Sequence, residues 1–156
     1  MSKLSGTYQL FPDLAYTKTG GTDMLRNQPK TERFHQYISK RKIDFNHSGN
    51  FSVEVKLLGN KQVGFYFKKD SFIVDSVTLS ARLQSRGLLL LGNKYLEVQG
   101  VPYIFGGSKS EKTRIGLASD GGLILNHAYD RSGAFFFFMA GQSYDNAYHF
   151  KRINSN

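Results

Sequence analysis

Histidine side chains are the first candidates for chemistry in this chain, and their spacing matches no metal-binding motif. They occur at His35, His47, His127 and His149, and no gap fits a pattern such as His-Glu-X-X-His. His127 and His149 fall on predicted neighbouring strands, but a metal would need a third ligand. Asp130 or Asp145 could supply it only if the fold brought them together. The sequence therefore predicts no metal site and no cofactor.

Motifs for nucleophilic and acid–base catalysis are also missing. The chain has no cysteine, which excludes thiolate nucleophiles, disulfides and cysteine-ligated zinc. No Gly-X-Ser-X-Gly elbow occurs. The acidic residues fall mostly in predicted turns, among them Asp70, Asp120 and Asp145, where aspartate favours turn formation. We therefore expect a protein without catalytic activity.

The charge balance points to anionic partners. Lysine and arginine exceed aspartate and glutamate by 21 to 12, which gives a formal net charge of +9. Such a chain favours nucleic acid, anionic lipid or acidic protein surfaces. The densest cluster, Lys40, Arg41 and Lys42, is predicted to be an interaction surface. The other cations are scattered, as is typical of solvated strand faces and protected sheet edges.

An unusual aromatic run occupies positions 135–138. Successive side chains of a strand point to opposite faces, so Phe136 and Phe138 share one face. Together with Tyr148 on the next predicted strand they could form an exposed aromatic strip that binds a protein partner or lipid. The alternative is a central strand that protein covers on both faces.

Period-two alternation along the chain predicts the elements that carry these residues. In 51–57 and 63–67 apolar and polar residues alternate, and Gly59-Asn60 lies between them as a hairpin turn. Phe34 to Phe45 is also predicted to be a strand. About eight to ten strands with tight turns predict a single all-β domain over 1–156. We expect an antiparallel meander that forms a closed or nearly closed barrel, with a β-sandwich as the alternative.

The interior of such a barrel is filled by side chains or holds one small ligand. Residues on the predicted inner face are the expected ligand-binding set: Phe51, Val53, Val55, Phe65, Phe67, Val77 and Leu79. A second candidate for partner binding is the long polar loop 12–33, because loops of that length in compact domains are often functional.

The two ends of the chain resemble the calycin superfamily, which contains the lipocalins. Lipocalins open their first strand with Gly-X-Trp and continue into a long loop, as Gly6-Thr7-Tyr8 does here. A late arginine of the family packs over that Trp. The resemblance implies that Arg152 lies over Tyr8 in a cation–π contact that closes the barrel, and that the barrel binds a ligand. The chain departs from the family in having no Trp and no clear C-terminal helix.

Three function classes remain open at this point. The first is a non-catalytic barrel that binds a small apolar or amphipathic ligand, or that serves as an envelope-associated interaction subunit. The second is a structural or assembly subunit with a solid core, and the third is a basic barrel that binds single-stranded nucleic acid. A salt-dependent affinity would identify the third class.

The cellular compartment is open as well. No apolar stretch reaches the roughly 18 residues that span a bilayer, and Met1 to Leu4 lacks the features of a signal peptide. Either the protein is cytoplasmic or a leader has been removed. The Gly-Thr-Tyr opening, the many short predicted strands and the aromatic final hairpin are together similar to mature bacterial envelope proteins. This similarity favours the periplasm or an association with the outer membrane over the cytoplasm.

Overall fold

The computed structural model describes residues 2–17, 21–25, 32–45, 49–59, 61–84, 87–93, 95–101, 105–135 and 138–153. For Ser2 and for 95–101, 105–110, 130–135 and 138–145 it describes the backbone alone. No helix among these residues is long and apolar enough to cross a membrane.

The described residues form twelve strands and two short 3₁₀ turns. The turns are Ser2–Leu4 and Phe34–Tyr37. The strands are β1 (Gly6–Gln9), β2 (Leu14–Tyr16), β3 (Thr22–Met24), β4 (Phe51–Leu57), β5 (Gln62–Lys69), β6 (Phe72–Leu83), β7 (Leu89–Leu91), β8 (Tyr95–Val101), β9 (Phe105–Leu117), β10 (Leu123–Phe135), β11 (Phe138–Phe150) and β12 (Arg152–Ile153). The all-β prediction is confirmed, with more strands than the eight to ten expected.

The strands form one antiparallel sheet in the order β12-β1-β4-β5-β6-β7-β9-β10-β11-β2-β3, and β8 pairs with β9 outside this path. The path has two ends, so the prediction of a closed barrel is wrong, and the order fits the β-sandwich alternative. The path ends at the two-residue β12, which pairs with β1, and at the three-residue β3, which pairs with β2, so no ladder joins the two ends in the described part of the chain. Within the path, β6 pairs with β5 along most of its length but with β7 only over residues 81–83. Beside residues 76–78 of β6 lies the non-strand segment 38–41.

The hairpin of β4 and β5 is the part of the sheet that the alternation predicted most directly. Val53 pairs with Phe67 and Val55 with Phe65, and all four side chains are fully buried. Because successive residues of a strand point to opposite faces, the intervening Glu54 and its neighbours form the outer face. Glu54 there bonds to Lys68 and Lys56, with N–O distances of 2.8 and 2.9 Å.

Two segments differ from the predicted secondary structure. The loop 12–33 contains β2 and β3, which form a short hairpin. The predicted strand from Phe34 to Phe45 is instead a 3₁₀ turn followed by irregular chain. Phe34, His35 and Ile38 are buried while Gln36 is exposed. A strand face would bury residue 36 together with 34 and 38 and would expose residue 35.

Phe34 lies in the middle of the core although it belongs to no strand. Its ring centroid is 5.7 Å from that of Phe65, 6.3 Å from that of Phe67 and 5.0 Å from that of Phe150. The backbone N–H of Phe34 donates to the carbonyl oxygen of Leu10 at 2.9 Å, which fixes the position of the turn. The buried apolar residues of the two halves of the sheet therefore form one cluster around this side chain.

Replacing Phe34 by alanine is expected to cost about 3–5 kcal/mol of unfolding free energy, because the truncation leaves a cavity between strands that cannot close on it. Urea denaturation followed by circular dichroism would measure the loss. The matched control is Phe72→Ala, since Phe72 is 79% exposed. That change should stay within about 0.5 kcal/mol of the parent protein. Equal losses in the two variants would contradict the central position of Phe34.

Candidate binding site

A pocket of about 720 Å³ lies where the chain passes from β1 to β2, next to the start of β4. We call it the rim pocket. Its lining residues come from six places in the chain: Gln9, Leu10, Phe11, Pro12 and Asp13; Leu25; Arg33; Phe45; Gly49, Asn50 and Phe51; and Ile153. Ligand sites usually have volumes of about 300–1,000 Å³ and mostly apolar walls with a few polar groups, and this pocket has both properties.

One wall of the rim pocket is aromatic. The rings of Phe11 and Phe51 meet edge to face with centroids 6.4 Å apart, and those of Phe45 and Phe51 do so at 5.5 Å. The ammonium group of Lys69 lies 5.6 Å from the centroid of the Phe51 ring. The three rings of this wall thus pack against one another in the edge-to-face arrangement that aromatic pairs prefer.

Arg33 and Asp13 are the charged residues that line the rim pocket, and their situations differ. Asp13 is engaged, since its Oδ1 lies 2.6 Å from Nδ1 of His149. The Nε of Arg33 is buried and has no hydrogen-bond acceptor in the part of the chain that the structure describes. A buried donor without an acceptor costs about 1–3 kcal/mol. An anion bound beside Arg33 would supply the missing acceptor.

A buried ionic cluster lies on the other side of the same turn. Asp75 Oδ2 is 2.9 Å from Nε2 of His35, and Asp75 Oδ1 accepts a hydrogen bond from Nη1 of Arg41 at 2.7 Å. Ser39 Oγ adds a longer contact of 3.3 Å to Asp75 Oδ2. The ring of His35 packs edge-on against Phe67, with centroids 4.6 Å apart. The cluster therefore ties residues 35–41 to β6.

The pKa of Asp75 lies below its usual value. Burial opposes this shift, because it penalises the charged carboxylate. Hydrogen bonds from His35, from the backbone N–H of Ser76 and from Arg41 outweigh the burial and favour the ionised form. Asp75 is therefore a carboxylate at neutral pH, and the N–H of His35 Nε2 donates to it.

Above the Asp75 cluster is an open, cation-rich depression of about 550 Å³. It is lined by Arg33, His35, Gln36, Ser39, Lys40, Arg41, Lys42, Ile43, Phe45 and Glu111. The predicted interaction residues Lys40, Arg41 and Lys42 are thus together on the surface, and all three are exposed. We call 40–42 the basic segment. Arg33 lines both this depression and the rim pocket.

A polar network lies at the far end of the turn, around Tyr37. The Tyr37 hydroxyl donates to Glu32, and the Tyr37 ring packs against His127 and Tyr148 at centroid distances of 5.1 and 5.6 Å. Burial, followed by the hydrogen bond to Glu32, raises the pKa of Tyr37. The hydroxyl therefore stays protonated over the physiological pH range, and the network orders the turn.

His127 and His149 do not form a common site. In the pairing of β10 with β11, His127 is opposite Asn146 and His149 is opposite Ile124. The offset of three residues sends the two side chains to opposite faces of the sheet. His127 Nδ1 contacts Thr113 Oγ1 at 3.2 Å. The described residues contain no group of three or more acidic, histidine or cysteine side chains arranged to hold a metal ion.

His149 joins two carboxylates instead. Its Nδ1 is 2.6 Å from Asp13 Oδ1, and its Nε2 is 3.2 Å from Asp120 Oδ1. Both bonds form together only when each ring nitrogen carries a proton. The pKa of Asp120 is lowered by the backbone N–H of Gly122 and, after it, by His149, against the effect of burial. This bridge holds the β1–β2 side of the rim pocket to the turn before β10.

The residues predicted to bind a ligand are distributed between the core and its edge. Val53, Val55, Phe65 and Phe67 are fully buried, while the partly buried Phe51, Val77 and Leu79 pack against that core. Only Phe51 of this set lines the rim pocket. The packing around Phe34 favours the rim pocket over the interior as a ligand site.

The contact predicted between the two ends of the chain is present. The Arg152 guanidinium carbon lies 5.4 Å from the centroid of the buried Tyr8 ring, and the two residues pair across β1 and β12. Nη1 of Arg152 donates to the carbonyl oxygen of Lys3 at 3.1 Å. A side chain at Gly6 would collide with the Arg152 guanidinium. Any other residue at position 6 would therefore require the Arg152 guanidinium to move.

The predicted aromatic strip is only partly described. Phe136 lies outside the described residues, and so does the side chain of Phe138. Tyr148 is partly buried and packs on the core beside Tyr37. The strip as an interaction surface remains a prediction.

Sequence reasoning missed Arg33, His35 and Asp75 as site residues. Asp75 had a signal: it shares the inward parity of Val77 and Leu79, so a carboxylate occupies a core position of β6 and needs a buried partner. Nothing comparable marks Arg33, because the segment around it has no strand or α-helical period.

Comparisons of the chain with known protein families, with curated proteins and with solved structures found no match.

Asp75→Asn is expected to lower the free energy of unfolding at pH 7 by about 1–3 kcal/mol, because it removes the charge that His35 and Arg41 bind. The depressed pKa means that the parent protein has this contribution above about pH 4, the unfolded value. It loses the contribution as the pH falls through the folded value. Asp75→Asn should therefore flatten the loss of stability below pH 4, as measured by urea denaturation at several pH values.

The matched control for this experiment is Asp23→Asn, because Asp23 is exposed on β3. It should retain the acid dependence of the parent protein. The role given to Asp75 is wrong if the two variants show the same acid dependence.

Proposed function

We propose that this protein is a non-catalytic binding protein that holds a small amphipathic anion, such as a fatty-acid-like carboxylate, in the rim pocket. The observation that carries the proposal is the buried Nε of Arg33, which lacks an acceptor at a pocket with an aromatic wall. A carboxylate bound beside Arg33 would form a charge-assisted hydrogen bond, which is among the stronger polar contacts. The apolar tail would lie along Phe11, Phe45 and Phe51.

The packing of the core supports a site at the rim. The side chains of Val53, Val55, Phe65 and Phe67 already make their contacts with one another and with Phe34. A ligand in the interior would have to displace Phe34 and lose those contacts. A ligand at the rim displaces no core side chain, because the pocket lies between loop segments and the beginning of β4.

The resemblance to the calycin superfamily supports the same class of function. It is carried by Gly6-Thr7-Tyr8 and by the contact of Arg152 with Tyr8. A carrier with a rim site would differ from the ligand position that the resemblance implies, which is the interior.

A structural or assembly subunit with a solid core is the second candidate, and the filled interior around Phe34 favours it. The two candidates differ in one observable, because a subunit of this kind has no affinity for a small amphipathic anion. Native mass spectrometry of the purified protein, followed by organic extraction, would detect a ligand that had been retained.

Binding of dodecanoate, measured by displacement of the fluorescent fatty acid cis-parinarate, tests the proposal directly. The parent protein is expected to bind dodecanoate, and Arg33→Gln should bind it about tenfold or more weakly, because a charged hydrogen bond is worth about 1.5–3 kcal/mol. Dodecanol, which has no charge, should lose little affinity in the same variant.

The matched control is Arg82→Gln, which removes an exposed arginine of β6 that does not line the pocket. It should bind dodecanoate as the parent protein does. The proposal fails if the parent protein shows no affinity, or if Arg33→Gln and Arg82→Gln bind equally well while both keep the parent circular dichroism spectrum.

A further inference from the structure

The hairpin between β5 and β6 ends in an exposed apolar tip. Phe72, Ile73 and Val74 follow one another along the chain and are 79%, 58% and 41% exposed. They begin β6, directly after the two-residue turn Asp70-Ser71, whose φ angles are +47° and +73°. Two left-handed residues are typical of a type I′ turn, which makes a narrow, projecting hairpin end. We call 68–74 the hairpin tip.

Three consecutive exposed apolar residues are unusual in a strand, because alternation normally hides one face. Phe72 and Ile73 point to opposite faces at the end of the hairpin, and Val74 interrupts the alternation after them. Phe67 pairs with Asp75 and Lys68 with Ile73, so Val74 is an extra residue without a partner on β5. Such a bulge twists the strand and hinders pairing with another edge. The tip is therefore poorly suited to adding a strand from a second chain.

Cations surround this apolar tip. Lys68 and Lys69 form the β5 side of the hairpin tip, where they pair with Ile73 and Phe72. On the other side is the basic segment, since the Arg41 guanidinium bonds to Asp75, the residue after Val74. The acidic residues close by are engaged: Asp75 binds His35 and Arg41, and Asp70 accepts the backbone N–H of Asn50 at 2.8 Å. Glu54 pairs with Lys68.

We propose that the hairpin tip and the basic segment form one surface that docks on an anionic lipid bilayer. Phe72 and Ile73 would enter the boundary between head groups and acyl chains, and Lys42 and Lys69 would contact the anionic head groups. None of these residues lines the rim pocket, but Lys69 borders it through the Phe51 ring, so the variants below are made at Phe72 and Lys42.

Other occupants fit this surface less well. A second copy of the chain would bring two molecules of formal charge +9 together, and the Val74 bulge opposes edge pairing. Single-stranded nucleic acid binds such surfaces by stacking bases on aromatic rings, whereas Ile73 and Val74 offer no ring. A fluid bilayer accepts a projecting apolar tip without a matching cavity.

Co-sedimentation of the full chain with lipid vesicles tests the proposal. We expect binding to vesicles in which about a third of the phosphatidylcholine is replaced by phosphatidylglycerol, and little binding to phosphatidylcholine alone. Phe72→Glu should weaken the binding about tenfold or more. The matched control is Leu83→Glu, at the opposite end of β6, because Leu83 is 54% exposed. It should bind as the parent protein does.

The charge contribution has its own pair of variants. Lys42→Glu should weaken binding to the anionic vesicles roughly three- to tenfold. Lys61→Glu makes the same change at the turn between β4 and β5, at the other end of β5 from the tip, and at physiological salt it should have little effect because of screening. All four positions are exposed, so circular dichroism should show that the variants keep the parent fold.

Four results would overturn the proposal. The first is no binding to anionic vesicles. The second is loss of binding in Lys42→Glu but not in Phe72→Glu, which would indicate a polyanion site without insertion. The third is full competition by a single-stranded oligonucleotide at equal charge concentration. The last is a concentration-dependent dimer that Phe72→Glu abolishes, which would assign the tip to a second copy of the chain.

Discussion

The arrangement of the molecule depends on how one 3₁₀ turn is inserted between strands. Phe34 packs against rings from β5 and β11, and the side chains of the neighbouring residues therefore point in different directions. Arg33 lines the rim pocket, His35 reaches Asp75 on β6, and Tyr37 packs on Tyr148. A turn with about three residues per revolution distributes neighbouring side chains around its axis, so fixing one of them in the core fixes the directions of the others.

The Asp75 cluster shows how apolar packing in the core and ionic hydrogen bonds support each other. The core contacts of Phe34 and Phe67 bring His35 next to β6, where its ring is held edge-on by Phe67. The buried carboxylate therefore has donors within hydrogen-bond distance, which is the condition for a buried charge to be tolerated. Arg41, with a largely exposed side chain, completes the cluster from the solvent side.

Sequence reasoning succeeded where local pattern and final environment agree. The alternation in β4 and β5 gave their pairing faces correctly, because side chains on such a hairpin have only two directions available. It failed for Phe34 to Phe45, where apolar residues at 34, 38, 43 and 45 fit no strand period and the backbone is anchored by Leu10, far away in the chain. It also overestimated closure, because the path ends at β12 and β3, which do not pair with each other among the described residues, and no local pattern encodes which strands meet at the ends of a sheet. Of the candidate site, Phe51 and the basic segment were within reach of the sequence, whereas Arg33 acquires its role only from the segments that surround it.

The position of Phe34 has a consequence for what the protein excludes. Its side chain fills the core and is covalently attached to the protein's own backbone. A tethered group of this kind has a local concentration of about millimolar or more. A free apolar molecule would have to compete with this tethered side chain. A solute could therefore reach the inner aromatic surface only by displacing the Phe34 ring from its contacts with Phe65, Phe67 and Phe150.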